Sequence, residues 1–208
     1  MTLDPHFTQG LRQRLLPEPP PWAPAEELVP DWQPLTPFSR PPVPAAVLIA
    51  LVRRPEGFTV LYTERSPDLR AHSGQVAFPG GKIDKTDAGA GAAALREAWE
   101  EVGMEAGDAE VLGYMPTYYT GTNYLIVPVV AEVSPSGPFV PNPGEVHSVF
   151  EVPLSRILDD ATYGRYHISR GGKQHSTWQI DHDGHTIWGI TANLTRRFRD
   201  LALGEVAA

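Results

Sequence analysis

Arg96, Glu97, Glu100 and Glu101 fall within six residues of one another, and their types and spacing could do chemistry. They lie in the stretch Asp87–Val102, rich in alanine, which predicts a helix. Asp87 is a good N-cap and Gly103 a good terminator. At about 100° per residue, Leu95, Ala98, Trp99 and Val102 share one face, while Glu97, Glu100 and Glu101 share the opposite one. A solvated polar face would account for that pattern. However, the glutamates occupy the last two turns, where the helix dipole is negative and each carboxylate costs roughly 0.3–1 kcal/mol. Arg96 is the only base in the helix and can pair with Glu100 at i+4. A bound cation would relieve this repulsion, so on charge geometry alone a metal site and a solvated face are evenly weighed. Gly80 and Gly81, just upstream, let the backbone turn sharply enough to bring a carbonyl to a hard cation. The chain has no cysteine, so a metal must be held by oxygen or imidazole, which favours Mg²⁺ or Mn²⁺. Such an ion can neutralise a diphosphate and activate water for attack on it.

Positioning that cluster requires a core, and 208 residues with 41% hydrophobic and 20% charged side chains allow one sizeable domain. Residues 6–16 suggest a short helix with Phe7, Leu11 and Leu15 on one side. The proline-rich run Leu16–Pro44 excludes regular structure and suggests extended backbone docked through Trp22, Val29, Trp32, Leu35 and Phe38. Ala45–Val52 reads as a strand buried on both faces, with Phe58–Arg65 its hairpin partner and a short strand over 75–81. Further strands are expected at Glu110–Tyr119, Tyr124–Val133, Ser148–Pro153, Tyr163–Ser169 and Thr177–Ile180, and a closing helix from about Ile190 to Leu203. Strands outnumber helices without alternating with them, which suggests a mixed α+β sandwich. The division is an N-terminal helix and arm over 1–44 and a domain over 45–204.

The segment from Gly81 through Asp87 to Arg96-Glu97-Ala98-Trp99-Glu100-Glu101-Val102-Gly103-Met104 resembles the signature of the Nudix hydrolases. There are two departures: Asp87 stands where the family usually has glutamate, and one extra residue precedes the arginine. The resemblance implies an α/β/α sandwich with a mixed sheet. It also implies that Glu97 and Glu101 are the principal metal ligands, that Glu100 is an auxiliary one, and that the Gly80 carbonyl completes the set. Arg96 would hold the glutamates in place. Upstream, Leu61–Ser66, Arg70, Gly74 and Phe78-Pro79-Gly80-Gly81 resemble the extra motif of the coenzyme A pyrophosphatase branch, with Tyr62 in place of an expected leucine. Arg65 and Arg70 could then supply forked donors to phosphate oxygens, against the alternative of ordinary surface pairs with Asp68 or Glu64. Gly74 and Pro79 would shape the loop, and Phe78 would pack in the core. Some members of the family take a catalytic base from a downstream loop. Glu145 occupies such a loop, with a helix glutamate or His147 as alternatives.

Together the motifs cover residues 61–104, about a fifth of the chain. They imply hydrolysis of coenzyme A, or its derivatives, to 3′,5′-ADP and 4′-phosphopantetheine. A pyrophosphatase for ADP-ribose or a dinucleotide, and a silent nucleotide sensor on the same fold, are the alternatives. Intact Glu97, Glu100 and Glu101 argue against the sensor. A net charge of −8 argues against nucleic-acid binding, and Arg196, Arg197 and Arg199 read as a solvated face. His167, His175, His182 and His185 form no metal-spaced pair and read as surface residues. Trp178 and Trp188 are expected in the core or around the pocket, and Thr191 as the N-cap of the closing helix. No segment reads as a signal peptide, membrane span or lipidation site, so a cytoplasmic protein is expected. The proline-rich arm could serve homodimerisation.

Overall fold

Ala, Val, Leu and Ile fill both faces of Val43–Arg54, which forms β1 and runs through the middle of an eight-stranded sheet. The computed structural model describes residues 6–22, 27–30, 38–67, 74–170 and 173–204. β1 pairs antiparallel with β2 (Gly57–Arg65) and with the short β4 (Gly80–Lys82), and parallel with β7 (Tyr124–Val133). β3 (Val76–Ala77) and β8 (Val146–Pro153) lie on β2, while β5 (Ala109–Tyr114) and β6 (Tyr118–Tyr119) lie on β7. A second sheet joins β9 (Tyr163–Arg170), β10 (Lys173–His182) and β11 (His185–Trp188).

The two faces of the central sheet carry side chains of different size. On one, Ala46, Leu48, Ala50 and Val52 of β1 meet Ala90, Ala93, Ala94, Ala98 and Val102 of helix α2 (Ala90–Val102). On the other, Ile49, Leu51, Val60 and Tyr62 pack against Leu194 and Phe198 of helix α4 (Gly189–Leu203). The result is the expected α+β fold, an α/β/α sandwich about a mixed sheet, with the small second sheet added on the α4 side.

Several expectations need correction. The N-terminal helix α1 is shorter, Phe7–Arg12, but Leu11 and Leu15 are buried as their spacing suggests. Leu16 then bridges Tyr114 at the edge of β5. Among the described residues of the proline-rich run, the expected anchors are not buried. Trp22 is 49% exposed, Val29 79% and Phe38 38%, while Trp32 and Leu35 lie outside the described residues. The single strand expected over Glu110–Tyr119 is two, because after Met115, whose N–H still donates to the Pro128 carbonyl of β7, the chain leaves the ladder at Pro116-Thr117, where proline has no N–H to give. A short helix α3 (Leu154–Leu158), with Leu154, Ile157 and Leu158 buried, was not expected. Neither was β11, formed by an Asp183-Gly184 turn with both residues at positive φ. Thr191 does not cap α4, which begins at Gly189. Its hydroxyl donates instead to the Val76 carbonyl at 2.9 Å. Arg199 is buried and Arg196 lies over Tyr163 and Trp178, so of the three arginines expected on a solvated face only Arg197 is exposed. His185 stacks on Phe150. No helix among the described residues is long and apolar enough to cross a membrane.

Candidate active site

Helix α2 ends at Gly103, whose left-handed backbone (φ 67°) donates to the carbonyls of Ala98 and Trp99. It begins later than expected, at Ala90. Gly89 holds the N-cap position and no side chain caps it, so Asp87 is not the cap. The inward face also differs from the one read by bulk. Ala94, Ala98, Glu101 and Val102 are buried, whereas Trp99 is 56% exposed. Only small residues let α2 approach the sheet closely. At Gly91 an added Cβ would come within 2.8 Å of the Tyr114 hydroxyl. Glu101 is therefore carried inward on the buried face, and is 3% exposed.

Burial holds the Glu101 carboxyl well above the usual range, pushing it up to about 8, and the neighbouring Glu97 adds to this. The Gly80 amide and the charge of Arg65 oppose the rise. The Gly80 N–H faces Glu101 Oε2 at 3.4 Å. Burial likewise raises Glu97, against the pull of Arg96. Glycine is required at Gly80, and at Gly81 it leaves room for the Glu97 carboxylate. A Cβ on Gly80 would sit 2.5 Å from the Ala46 carbonyl of β1, and one on Gly81 would sit 2.5 Å from the Glu97 carboxyl carbon.

Arg96 organises the outer part of the cluster. Its Nε and Nη2 fork onto the two Asp87 oxygens, each at 3.0 Å. Nη2 also reaches the Lys82 carbonyl at 3.1 Å. Nη1 bridges Glu97 (3.0 Å) and Glu100 (3.1 Å). All five N–H groups are thus directed at protein acceptors, which leaves none for a substrate. Asp87 also accepts from the Asp84 amide, and the Arg96 fork holds its carboxyl below the usual carboxylate range. Its place in the cluster is as the clasp on Arg96.

The loop carrying Glu145 is tied to the end of α2, with Asn142 N–H donating to the Glu101 carbonyl at 2.8 Å and Val140 N–H to that of Val102 at 2.9 Å. The Glu145 carbonyl accepts from Ser66 N–H at 2.9 Å. Glu145 consequently acts electrostatically on both Glu97 and Glu101. It shares a shallow cleft with Trp99, Glu100, Gly103 and Asn142. His147 is exposed on β8. Arg65, at the end of β2, stands near enough to Glu101 to stabilise its charge, and its buried Nε has no hydrogen-bond partner among the described residues. Arg70 lies outside the described residues. Gly74 shapes the turn after β2 at φ 67°, Pro79 accepts from Leu48 N–H, and Phe78 is core, stacked on Tyr62. Tyr62, in the position where leucine was expected, is itself fully buried with its hydroxyl 3.0 Å from Thr195.

The donor set suits a hard divalent cation: it is all oxygen, two of its carboxyls are raised by burial, and one rests over a glycine. Among the described residues no three acidic or imidazole side chains converge into a ready-made shell. Glu97 and Glu100 both turn toward Arg96. A cation here would take a few protein oxygens and complete its sphere with water and phosphate, as Mg²⁺ ordinarily does.

Behind Gly80 and Arg65, between the central sheet, α4 and β9–β10, lies a cavity of about 380 Å³. Sequence reasoning did not find it, because its walls come from segments far apart in the chain.

Known proteins resemble the chain in sequence and in fold. The family model described as the NUDIX domain matches residues 42–170. A relative described as uncharacterized Nudix hydrolase NudL, from Escherichia coli (strain K12), is 46% identical over 162 residues, 76% of this chain and 81% of the relative. A protein of the same description from Shigella boydii serotype 18 matches equally. The crystal structure of the M. smegmatis Nudix hydrolase RenU superposes with a TM-score of 0.54 at 21% identity, covering 81% of this chain and 91% of that one, a likeness of fold. The match spans the central sheet, α2 and the Glu145 loop together, and the chain belongs to the Nudix hydrolase family.

Proposed function

We propose that this enzyme hydrolyses the diphosphate bond of coenzyme A and its derivatives, giving 3′,5′-ADP and 4′-phosphopantetheine, with Mg²⁺ or Mn²⁺. The observation that carries the reading is the position of Arg65. A residue of the upstream motif stands beside Glu101, with a buried N–H left over on the wall of the cavity. A guanidinium there can donate to a phosphate oxygen, and coenzyme A brings a 3′-phosphate beyond the two phosphates at the scissile bond.

In this reading Glu97 and Glu101 hold the cation, with Glu100 as auxiliary and the Gly80 carbonyl completing the set. When bound, the cation neutralises the diphosphate and lowers the pKa of the attacking water. Glu145, on a loop tied to α2, accepts the proton from that water. Arg96, clasped by Asp87, and Gly81 keep the carboxylates in position. Residues 45–204 are the catalytic domain, α1 packs on it, and the protein works in the cytoplasm.

The test is a substrate panel with product identification. Coenzyme A should be cleaved with Mg²⁺ or Mn²⁺ faster than ADP-ribose or NADH, and yield 3′,5′-ADP. Equal or absent turnover would sink the substrate assignment. Comparison with 3′-dephospho-coenzyme A reads whether the 3′-phosphate is recognised.

A further inference from the structure

Two of the three tryptophans after residue 45 are engaged by the fold. Trp178 carries the guanidiniums of Arg165 and Arg196 over its ring, and Trp188 stacks on Tyr166. Trp99 is not engaged. Among the described residues no ring stacks on it, no guanidinium lies over it, and its indole N–H has no acceptor. It stands 56% exposed near the end of α2, although tryptophan is ordinarily a well-buried residue. Its position is beside the carboxylates. With Glu100, Gly103, Asn142 and Glu145 it lines the shallow cleft, which has a volume of about 420 Å³, so the space over the indole opens onto two acidic side chains of the site. Around the helix Gly103 falls between Trp99 and Glu100, and glycine puts no side chain in the way. Asn142 Oδ1 accepts from the Gly144 N–H at 3.1 Å, which leaves its amide N–H groups without a partner among the described residues. Glu100 and Glu145 repel a phosphate from this margin but accept hydrogen bonds from an amino group. An aromatic face, carboxylate acceptors and an amide donor together suit a flat ring with an exocyclic amine and ring-nitrogen acceptors, the chemistry of an aminopurine base. A saturated chain would meet none of the three polar groups.

We infer that Trp99 is the stacking platform for the adenine of the substrate, so that it reads the nucleotide half of the molecule while the glutamates hold the diphosphate. The inference rests on the diphosphate reading above and deepens it. The test uses two non-hydrolysable probes that differ only in adenosine, α,β-methylene-ADP and methylenediphosphonate. Each is titrated calorimetrically into the intact protein with Mg²⁺, and tryptophan emission is followed in parallel. The adenosine-bearing probe should bind more tightly and quench the emission. Trp99→Ala should weaken it about 5–100-fold and remove the quench, whereas Trp99→Phe keeps a ring face and should recover most of the affinity. Methylenediphosphonate should bind the original protein and both variants alike, which also shows that the carboxylate cluster is intact in each. Unchanged affinity for α,β-methylene-ADP in Trp99→Ala overturns the inference. So does equal weakening of both probes, which would place the effect on the cluster. Loss of self-association in that variant by sedimentation, with α,β-methylene-ADP binding unchanged, overturns it in favour of a contact with a second copy of the chain. With coenzyme A, Trp99→Ala should raise KM more than it lowers kcat. If coenzyme A is not turned over at all, the substrate reading fails while the titration still decides Trp99.

Discussion

Substituting Gly81 by alanine places one methyl group directly beneath the Glu97 carboxylate. The new Cβ would lie 2.5 Å from the Glu97 carboxyl carbon and 2.7 Å from Oε2. Carbon contacts become comfortable near 3.5 Å, so the carboxylate must move by about 1 Å. Gly81 is not among the glycines at positive φ, so alanine brings no backbone strain. What it strikes is the free end of a flexible side chain, so stability should fall by less than about 1 kcal/mol. The effect on a cation should be much larger. A displacement of about 1 Å is half an Mg²⁺–oxygen bond, and Mg²⁺ tolerates little distortion. The same movement disturbs the 3.0 Å contact from Arg96 Nη1 that orients Glu97. The concentration of Mg²⁺ giving half-maximal rate should rise about 10–100-fold, and less for the more forgiving Mn²⁺. Initial rates of diphosphate hydrolysis against each metal, with thermal melts of the same samples, make the measurement. An unchanged metal requirement would refute the seat of Glu97 over Gly81 as a ligand position. A large fall in melting temperature would refute it differently, by showing that the backbone and not the carboxylate gives way.

Three further outcomes follow from the same geometry. Glu101 has a folded pKa raised from 4.5 to about 8, so between these values the native state binds more protons than the unfolded one, and stability falls as pH rises. Melts in chelator across this window should show a loss on the order of 3 kcal/mol by neutral pH, and Glu101→Gln should remove most of the slope while abolishing metal-dependent turnover; stability rising with pH would contradict this. Arg96→Lys cannot reproduce the two-oxygen fork on Asp87. It should cost about 1–3 kcal/mol in denaturant unfolding and raise the metal requirement, whereas a silent variant would mean the clasp is dispensable. Gly91→Ala should destabilise by about 1 kcal/mol despite its better helix propensity, because of the Tyr114 hydroxyl. Adding Tyr114→Phe, which removes that hydroxyl, should restore or exceed the original stability, and failure of the pair to do so would place the crowding elsewhere.

The parts of the fold legible in the sequence were those where one local pattern decided the outcome. The continuous apolar run of β1 and the glycine after α2 belong here, as does the four-residue spacing of Phe7, Leu11 and Leu15. The β10–β11 hairpin was also legible through its Asp183-Gly184 turn, although no strand was expected after Ile180. By contrast, the exposure of Trp22 and Phe38 was not legible: an aromatic in a proline-rich run shows what could be buried, not whether a partner surface exists. The cavity depends on long-range assembly of Val47, Ile126, Ile168 and Leu194, whose spacing in the chain carries no common period.

The misread face of α2 bears most directly on the active site. Reading by bulk placed Trp99 inward and Glu101 outward, and a helix packed on an ordinary sheet would have followed that rule. Here the opposing strands present Ala46, Leu48, Ala50 and Ala131, and α2 meets them through alanine and glycine. Such close packing leaves no room for an indole, so Trp99 is turned out and the next residue but one, Glu101, is turned in. The small-residue stripe is therefore part of what presents Glu101 beside Gly80 and Arg65. It follows that enlarging the stripe, for example with Ala94→Leu, should disturb metal-dependent turnover as well as stability, since lifting the helix from the sheet also lifts Glu101 away from the Gly80 amide. Circular dichroism melts alongside metal titrations would separate the two effects. A variant that loses stability yet keeps the original metal requirement would show that the placement of Glu101 does not depend on how closely α2 sits.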